Sequence, residues 1–385
     1  MNVLQAEQVA PLICFSHLRW DFVLQRPQHL MSRFAAERPV WFWEEAIPTD
    51  HHLPYLEFHA FEGTSVQSIR PRVPHGAAQD AVLAGLLDQF LAITGTTLPI
   101  MWFYTPQMWP FASHVAASAI VYDCMDELTG FRFAPPDLAR NEAALIENAD
   151  LVFTGGHSIF EAKRHLHRDI HPFPSSVDAA HFHAARGALP DPADQAGIAR
   201  PRLGYYGVVD ERLDLELIRQ VAAARPDWQI VMVGPVVKLS AADLPQAPNI
   251  HWLGQKDYAD LPRYIAGWDV ALMPFAINEA TRFISPTKTL EYLAAGRQVV
   301  STPVRDVARH YSGLDAVRIA PDPARFIDAC AAALARPCAR DAADALVAGQ
   351  SWDATFAAMN AHLTRVRKGR RPGWAIPEIA ARVRN

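Results

Sequence analysis

The sequence predicts an α/β protein with two doubly wound domains, each built on a parallel sheet that helices cover. Three observations indicate this fold class. The chain has 385 residues, which is enough for two domains of ordinary size. Short apolar runs alternate with longer segments of helical period along most of the chain. Residues 185–200 are rich in Ala, Pro, Gly and Asp, so we expect a hinge there between domains over 1–184 and 201–350.

Five apolar runs of strand length predict the sheet of the first domain. They cover residues 11–16, 40–43, 100–104, 119–123 and 150–154. Segments with apolar residues at helical spacing lie between them, at residues 28–37, 78–91, 137–148 and 157–167. This alternation is typical of strand–helix–strand units in a parallel sheet.

The same alternation begins again after residue 200. Strand-like runs follow at residues 202–206, 229–233, 250–253, 270–273 and 299–301. A C-terminal segment, 351–385, then begins with helical period in Trp352, Phe356, Met359 and Leu363. Two such domains imply a cleft between them. Ligands of doubly wound sheets bind beyond the carboxyl ends of the strands, so residues that directly follow each strand are the candidates for function.

Composition and charge exclude several classes of protein. Half of the residues are hydrophobic (50%), 20% are charged and the formal net charge is −5, so the chain is globular and we expect no nucleic-acid partner. Four single cysteines without metal-binding spacing, Cys14, Cys124, Cys330 and Cys338, are predicted to be core residues in a reducing compartment. No signal-peptide pattern or long apolar run is present, which favours a cytoplasmic location.

A basic cluster lies near the end of the sequence. Its members are Arg365, Arg367, Lys368, Arg370 and Arg371. Such a run is usually a solvated tail, but each charge near an anionic membrane also contributes about 1 kcal/mol of attraction. We therefore add peripheral contact with an anionic membrane surface as an expectation.

The most informative stretch is residues 284–302, ISPTKTLEYLAAGRQVVST. A Ser-Pro pair at its start predicts the beginning of a helix, on which Lys288 and Glu291 share a face because they are three residues apart. The Ser285 hydroxyl, the Thr287 amide and the Lys288 ammonium could converge on a phosphate, and Glu291 could accept hydrogen bonds from a ribose diol. The alternative is a capped helix with an ordinary surface ion pair.

This stretch resembles the C-terminal domain of GT-B glycosyltransferases, especially bacterial enzymes of the family-1 and family-4 type. In them, a helix that carries Lys and Glu holds the diphosphate and ribose of a nucleotide sugar. The blocks LGYYGVVDERLDLELI, RPDWQIVMVGP, PNIHWLGQKDYADLPRYIAGWDVALMPF and PSSVDAAHF resemble other elements of the same fold. SHLRWDFVLQRPQHLMSRFA resembles the first strand and helix of a subgroup that builds extracellular and cell-wall polysaccharides.

The resemblance implies a GT-B fold whose C-terminal helix packs back on the N-terminal domain. It implies that Lys288 and Glu291 contact the phosphate and ribose of the donor. It also implies that no cofactor and no metal are needed, because this fold stabilises the leaving diphosphate with cationic side chains and helix dipoles. Asp123 and Asp126 do not have the Asp-x-Asp spacing of a manganese-dependent transferase.

Further donor-binding candidates lie after the strands of the second domain. Gly207 and Gly234 would let the backbone approach a diphosphate, although a tight turn without a ligand is the more common reason for a lone glycine. Tyr258 is predicted to pack near the base, while Lys256 beside it is interpreted as a solvated loop charge. Arg282 is a second cation available to the leaving group.

An inverting transfer also needs a base that takes a proton from the acceptor hydroxyl. The candidates follow strands of the first domain: Asp126 is the first choice, with Glu127, Asp21 and His17 as the others. Asp126 could instead cap the following turn, and His17 could bind a substrate or be structural. Arg26 is predicted either to pair with Asp21 or to face an anionic acceptor.

One departure from the family pattern concerns stereochemistry. Retaining members carry Glu-x7-Glu, and with Glu291 as the second member the first position here is Phe283. Either Glu279 takes that place through a longer loop, or the carboxylate is absent, which puts retention in doubt.

These residues predict a glycosyltransferase that moves a sugar from a nucleotide diphosphate sugar, with UDP-sugar favoured, to a polysaccharide or lipid-linked saccharide. Two alternatives stay open: a nucleotide-sugar epimerase of the same fold, and a non-catalytic protein that binds nucleotide sugars.

Overall fold

The computed structural model of the chain describes residues 9–336 and 340–369. In the first half, the strands are β1 (Leu12–Ser16), β2 (Val40–Glu44), β3 (Ile47–Thr49), β4 (Tyr55–Ala60), β5 (Gln67–Pro74), β6 (Ile100–Phe103), β7 (Ala119–Cys124), β8 (Leu151–Thr154) and β9 (Ile170–Pro172). In the second half, they are β10 (Arg202–Tyr206), β11 (Gln229–Val233), β12 (Ile250–Gly254), β13 (Val270–Met273), β14 (Val299–Ser301) and β15 (Val317–Ile319).

Helices connect these strands. They are α1 (Arg26–Ala35), α2 (Gln79–Thr94), α3 (Trp109–Ala112), α4 (Leu138–Asn148), α5 (His157–Lys163), α6 (Ala179–His183), α7 (Ala193–Ala196), α8 (Leu215–Ala224), α9 (Leu261–Ala266), α10 (Lys288–Ala294), α11 (Arg305–Tyr311), α12 (Pro323–Ala335), α13 (Asp341–Ala348) and α14 (Trp352–Gly369). Each strand predicted from the sequence is present.

The strands form two sheets. The first has the order β3-β5-β2-β1-β6-β7-β8-β9, with β4 beside β5, and the second has the order β12-β11-β10-β13-β14-β15. Every pairing is parallel except β4 with β5. In each sheet the strand order changes direction once, between β1 and β6 in the first and between β10 and β13 in the second. A crevice therefore opens at the carboxyl ends of each of these strand pairs. The predicted fold class is confirmed.

The strands that the sequence did not predict are β3, β4, β5, β9 and β15, and they are polar or very short. β4 contains only exposed and half-buried residues, and β5 contains Arg70, Pro71 and Arg72 within its eight residues. Such strands lack the continuous apolar run of a buried parallel strand, and the apolar pattern alone does not reveal them.

Apolar side chains cover the sheets. The second sheet has one continuous core, while the first has a separate core on each face. The last helix, α14, contributes Trp352, Met359 and Leu363 to one core of the first sheet, each at most 2% exposed. Truncating any one of them to Ala would cost on the order of 2–5 kcal/mol.

The segment 185–200 differs from the predicted hinge because it packs on the second sheet. Ala185 lies in that core, and the buried Gln195 donates to the Tyr264 carbonyl at 3.0 Å and accepts from the Trp268 indole at 2.9 Å. Its Pro-rich composition therefore accompanies an irregular path over the surface of the second domain.

The chain instead crosses between the two sheets at 174–176 and again at 349–351. Phe173 packs on the first sheet whereas Val177 belongs to the second core. The Ser176 hydroxyl lies 2.6 Å from the Thr355 hydroxyl at the start of α14, so the two crossings are joined side by side.

Other predictions have mixed outcomes in the described part of the chain. Cys14, Cys124 and Cys330 are free and buried, as expected, while Cys338 lies outside the described residues. Within the described ranges, no helix combines the length and apolar character needed to cross a bilayer. Of the basic cluster, Arg365 pairs with Asp169 at 2.9 Å; the side chains of its other four members fall outside what the structure describes.

Candidate active site

The cleft between the two sheets holds a cavity of about 400 Å³, called here the smaller cavity. It lies beyond the carboxyl ends of β10 and β11, at the crevice that the strand order predicts. Residues predicted from the sequence that line it are Asp21, Asp126, Gly207, Gly234, Tyr258, Ser285, Thr287, Lys288 and Glu291. Arg282 is the one predicted donor-binding residue that does not.

The start of α10 brings two of these side chains into the cavity. The helix begins at Lys288, with Thr287 at the capping position, and so starts later than the Ser-Pro pair suggested. Lys288 and Glu291 face the cavity together, as their spacing predicted. The Lys288 ammonium lies 5.8 Å from the centre of the Tyr206 ring and forms no ion pair with a carboxylate of the described residues. Burial lowers the pKa of Lys288.

Glu291 is held in place by hydrogen bonds. The Tyr206 hydroxyl donates to its Oε2, and the Tyr206 amide donates to the Tyr292 hydroxyl at 3.0 Å. Burial raises the pKa of Glu291, while the charge of Lys288 and the hydrogen bonds from Tyr206 and Thr287 oppose that rise. The result is a fixed carboxylate next to an unpaired cation.

Two glycines explain how Lys288 reaches the backbone. Gly207 has a φ of +138°, and a Cβ there would lie 2.2 Å from Cε of Lys288. Gly234 has a φ of +146°, and its Cβ would lie 1.9 Å from the Gly207 carbonyl oxygen. Both positions therefore require glycine. Gly207 lets the Lys288 stem lie against the strand end, and Gly234 makes room for the Gly207 backbone.

Aromatic rings close one end of the smaller cavity. The Tyr258 ring stacks on His181 with a centroid distance of 4.3 Å, and its hydroxyl is buried without a hydrogen-bond partner among the described residues. His29 of the first domain stacks on Trp352 at 4.6 Å. Since both sheets contribute rings, this end of the cavity depends on how the domains sit together.

A second and larger cavity, about 780 Å³ in volume, opens on the side of the first sheet. Six residues line both cavities: Phe22, Gln25, Met125, Asp126, Val208 and Arg212. Sequence reasoning missed Arg212, which follows β10 within the quoted block LGYYGVVDERLDLELI. Its guanidinium pairs with Asp210 at 2.7 Å, and this carboxylate is the main interaction that raises the pKa of Arg212 against the opposing effect of burial.

Asp126 and His17 face the larger cavity from the first domain. Burial raises the pKa of Asp126, and the charges of Arg212 and Arg26 oppose that rise. His17 Nδ1 is buried without a hydrogen-bond partner among the described residues. Burial, with the Lys238 charge, lowers the pKa of His17 to about 4, so its imidazole is neutral near pH 7, and one ring nitrogen donates a hydrogen bond while the other accepts one.

The chain is similar in sequence and in fold to known glycosyltransferases. Residues 200–336 match the sequence profile of the family described as glycosyl transferases group 1. TuaH of Bacillus subtilis (strain 168), assigned to teichuronic acid biosynthesis as a glycosyltransferase, is 25% identical over 308 residues, which cover 74% of this chain and 72% of TuaH.

Solved structures share the fold. Sucrose-phosphate synthase from Thermosynechococcus elongatus matches with a TM-score of 0.73 and 15% identity, over 94% of this chain and 100% of that one. HepE of Anabaena, solved with UDP and glucose, matches with a TM-score of 0.67 and 14% identity, over 92% of this chain and 99% of that one. Together these matches indicate a glycosyltransferase with the GT-B fold.

Two of the predicted catalytic residues of this glycosyltransferase form ion pairs with basic side chains. Glu127 lies 2.7 Å from the buried ammonium of Lys163, so it is not available as a base. Asp21 is half exposed and pairs with Arg70 at 2.7 Å at the rim of the smaller cavity. Of the acidic candidates, Asp126 is the one that touches both cavities.

Arg26 has a different partner from the one predicted. Its guanidinium binds both oxygens of the buried Asp123, at 2.9 and 3.0 Å, and donates to the Phe173 carbonyl at 2.6 Å. Asp21 is not involved. Arg26 thus locks the end of β7 to the segment where the chain leaves the first sheet.

The loop before α10 also corrects two expectations. Arg282 is 59% exposed and pairs with Glu279 at 3.4 Å, away from the cavities. Glu279 is itself 76% exposed and lines neither cavity, so it does not take the position of the missing carboxylate. Phe283 packs against the core of the first sheet. In the glycosyltransferase this ring is therefore a contact between domains.

Proposed function

We propose that this glycosyltransferase moves a sugar from a UDP-sugar to a saccharide acceptor, polymeric or lipid-linked, in the assembly of a cell-envelope polysaccharide. The observation that carries the proposal is the pair of cavities that meet at Asp126 and Arg212. The smaller suits a nucleoside diphosphate and the larger a saccharide. The UDP in the HepE structure supports the choice of base, and the role assigned to TuaH supports the choice of acceptor class.

On the donor side, cationic groups would stabilise the leaving diphosphate. Lys288 supplies an ammonium without a carboxylate partner, and Arg212 lies where the two cavities meet. Negative charge grows on the diphosphate as the C1–oxygen bond lengthens, and cations fixed in a desolvated site stabilise that charge. Glu291 would accept hydrogen bonds from the ribose and Tyr258 would border the base. We expect transfer to continue in the presence of a chelator.

On the acceptor side, Asp126 would act as the base. It accepts the proton of the attacking hydroxyl, the hydroxyl oxygen bonds to C1, and the nucleoside diphosphate leaves from the opposite face. This single displacement inverts the anomeric carbon. Phe283 and the exposed Glu279 favour inversion, since neither provides a carboxylate beside the sugar. The neutral His17 would orient the acceptor by a hydrogen bond.

Contact with a membrane is a further part of the proposal. The basic cluster at 365–371 would attract anionic headgroups near a lipid-linked acceptor. Flotation of the full chain with vesicles containing anionic lipid should show binding that weakens at high salt. Binding that persists when the lysine and arginines of the cluster are replaced would contradict this role.

Incubation with UDP-, GDP- and dTDP-sugars, with and without saccharide acceptors, tests the proposed function. We expect UDP release only when an acceptor is present, and NMR of the product should show the inverted anomer. An altered sugar without an acceptor would instead identify an epimerase, and binding without turnover a non-catalytic protein. Product with the retained anomer would contradict the role of Asp126 as the base.

A further inference from the structure

A cluster of metal-binding side chains lies away from both cavities. His171 lies in the edge strand β9 and Asp169 directly precedes that strand. Both face His362 of α14. One possible ligand atom from each residue lies within 4.8 Å of the other two. None of the three lines either cavity, so the cluster is separate from the transfer site.

The geometry of the cluster suits a small cation. The two imidazole rings are tilted by 39° with a centroid distance of 3.9 Å, and His171 Nε2 is 2.6 Å from Asp169 Oδ1. Phe153 and Phe173 form T-shaped ring contacts with His362, at centroid distances of 6.1 and 5.9 Å. These apolar walls fix the His362 ring and lower the local polarity. All three ligands are half-buried, which leaves room for water at a fourth position.

The ligand set selects the class of ion. Two imidazole nitrogens and one carboxylate oxygen form the three-ligand set that binds zinc and related transition metals, whereas calcium and magnesium prefer oxygen ligands. The residues come from positions nearly two hundred apart in the chain, and such an arrangement is not produced by local sequence.

One neighbouring cation bears on this site. Arg365 donates to Asp169 Oδ1 and Oδ2, at 2.9 and 3.1 Å, and lies 3.2 Å from His362 Nδ1. Its side chain is 60% exposed, so it can release Oδ1 and the imidazole to a metal while it keeps Oδ2. A carboxylate that binds a metal through one oxygen and a second partner through the other is a common arrangement.

We propose that Asp169, His171 and His362 bind one divalent transition-metal ion that fastens α14 to the edge of the first sheet. The expectation that no metal is needed concerned sugar transfer, and this site concerns the attachment of the helix that also carries Trp352. Metal binding here stabilises the docked position of α14, because the ligands come from both elements.

The test uses the full chain, freed of metal with a chelator and titrated with zinc chloride at pH 7.5 by calorimetry. We expect one zinc ion per chain and a rise in melting temperature as zinc is added. His171→Ala and His362→Ala should each weaken zinc binding about tenfold or more, because losing even a residue that only orients a metal ligand costs about 10–100-fold. Asp169→Asn provides a milder change if an alanine variant does not fold. Cobalt should give the visible absorption of a site with nitrogen ligands.

His165→Ala is the matched control, because His165 is an exposed histidine that is not part of the cluster. Its zinc affinity should equal that of the unaltered chain, and Arg365→Ala should bind zinc at least as tightly as that chain. The proposal is overturned if the chain binds no stoichiometric zinc, or if the cluster variants bind it as tightly as His165→Ala does. Such a result would leave a hydrogen-bonded cluster only.

Discussion

The smaller and larger cavities are built in different ways. Three residues of the smaller cavity, Thr287, Lys288 and Glu291, come from five consecutive positions, and the paired glycines sit directly after two neighbouring strands. The larger cavity draws on loops from His17 to Lys238. A nucleoside diphosphate is a constant object that a short motif can bind, whereas a varied acceptor needs surfaces from many loops. The comparison predicts that binding and turnover can be separated by mutation.

Asp126→Asn should have the largest effect. The amide keeps the size of the side chain but cannot take up the acceptor proton. We expect the transfer rate to fall about a thousandfold, since a general base contributes 10²–10⁴-fold. Affinity for UDP should stay within about twofold of the unaltered chain, because each good phosphate contact is worth 1.5–3 kcal/mol and none is removed. Transfer assays measure the rate, and calorimetry measures the affinity for UDP.

Asp21→Asn is the matched control for that experiment. Asp21 also lines the smaller cavity but is half exposed and paired with Arg70. Its transfer rate should change by less than about threefold, consistent with a surface ion pair. Equal losses in the two variants would remove the distinction between Asp126 and its neighbours, and a fully active Asp126→Asn would rule out the base.

His17, which lines the larger cavity, makes the stability of the folded chain depend on pH. The pKa of His17 is lowered to about 4 in the folded chain by burial and the Lys238 charge, against about 6.5 when unfolded. Above pH 6.5 both states are neutral and stability is complete. As the pH falls from 6.5 to 4, the unfolded state binds a proton that the folded state does not. Stability is therefore lost over that window, by about 3 kcal/mol for a shift of this size.

His17→Gln should remove this contribution. Urea unfolding at pH 7 and pH 4.5 should show a smaller drop in the free energy of unfolding for His17→Gln than for the unaltered chain. The exposed His165 serves as the control, because His165→Gln should leave the drop unchanged. An unchanged drop in His17→Gln would mean that the imidazole is already solvated in the cleft.

Lys288→Ala should affect binding, in contrast to Asp126→Asn. Removal of the unpaired ammonium from the smaller cavity deletes a charge-assisted contact with the diphosphate. UDP affinity should fall about 10–100-fold, as a loss of 1.5–3 kcal/mol implies. Thermal shift or calorimetry measures the change without any acceptor.

Lys256→Ala tests whether UDP affinity depends on the position of Lys288 or on positive charge in the cleft in general. Lys256 also lines the smaller cavity, but its ammonium pairs with Asp194 at 2.8 Å. We expect its UDP affinity to change less than about threefold. A loss equal to that of Lys288→Ala would show that the general positive potential of the cleft, and not the position of Lys288, binds the nucleotide.

The comparison also explains what sequence could predict. Lys288, Glu291 and Gly207 were predictable because helix spacing and a strand end place them locally. The bonds from Arg26 to Asp123, by contrast, join residues 97 positions apart, and the pattern near Arg26 suggested Asp21. Arg212 was within a quoted block but has no spacing that marks it. Its role follows from Asp210 and from two cavities that form only when the domains meet.

The position of the domain crossing was missed for a related reason. A stretch rich in Pro and Gly has the composition of a hinge, yet composition does not show whether a neighbouring surface binds it. Gln195 is one polar residue in that stretch, and its hydrogen bonds to Tyr264 and Trp268 are long-range. The segment is held by partners about seventy residues away in the chain, and a local sequence pattern does not reveal such partners.

Tyr206→Phe should have the smallest effect and gives the finest test of the smaller cavity. It removes the hydroxyl that donates to Glu291 and keeps the ring beside Lys288. Loss of one such hydrogen bond should weaken UDP binding about 2–10-fold, from 0.5–1.5 kcal/mol. Tyr205→Phe is the control: its hydroxyl donates to the Val208 carbonyl at 3.1 Å, near the same cavity but not to Glu291.

If Tyr206 acts through Glu291, the loss should disappear with a nucleotide that lacks the ribose hydroxyls, and in a Glu291→Gln background the two changes should not add. A loss that persists with the altered nucleotide would mean that Tyr206 supports Lys288 instead, through the ring that both variants keep. Glu291 would then be a buried carboxylate that neutralises the local charge. The constant part of the donor, its ribose, would have to be recognised by main-chain groups.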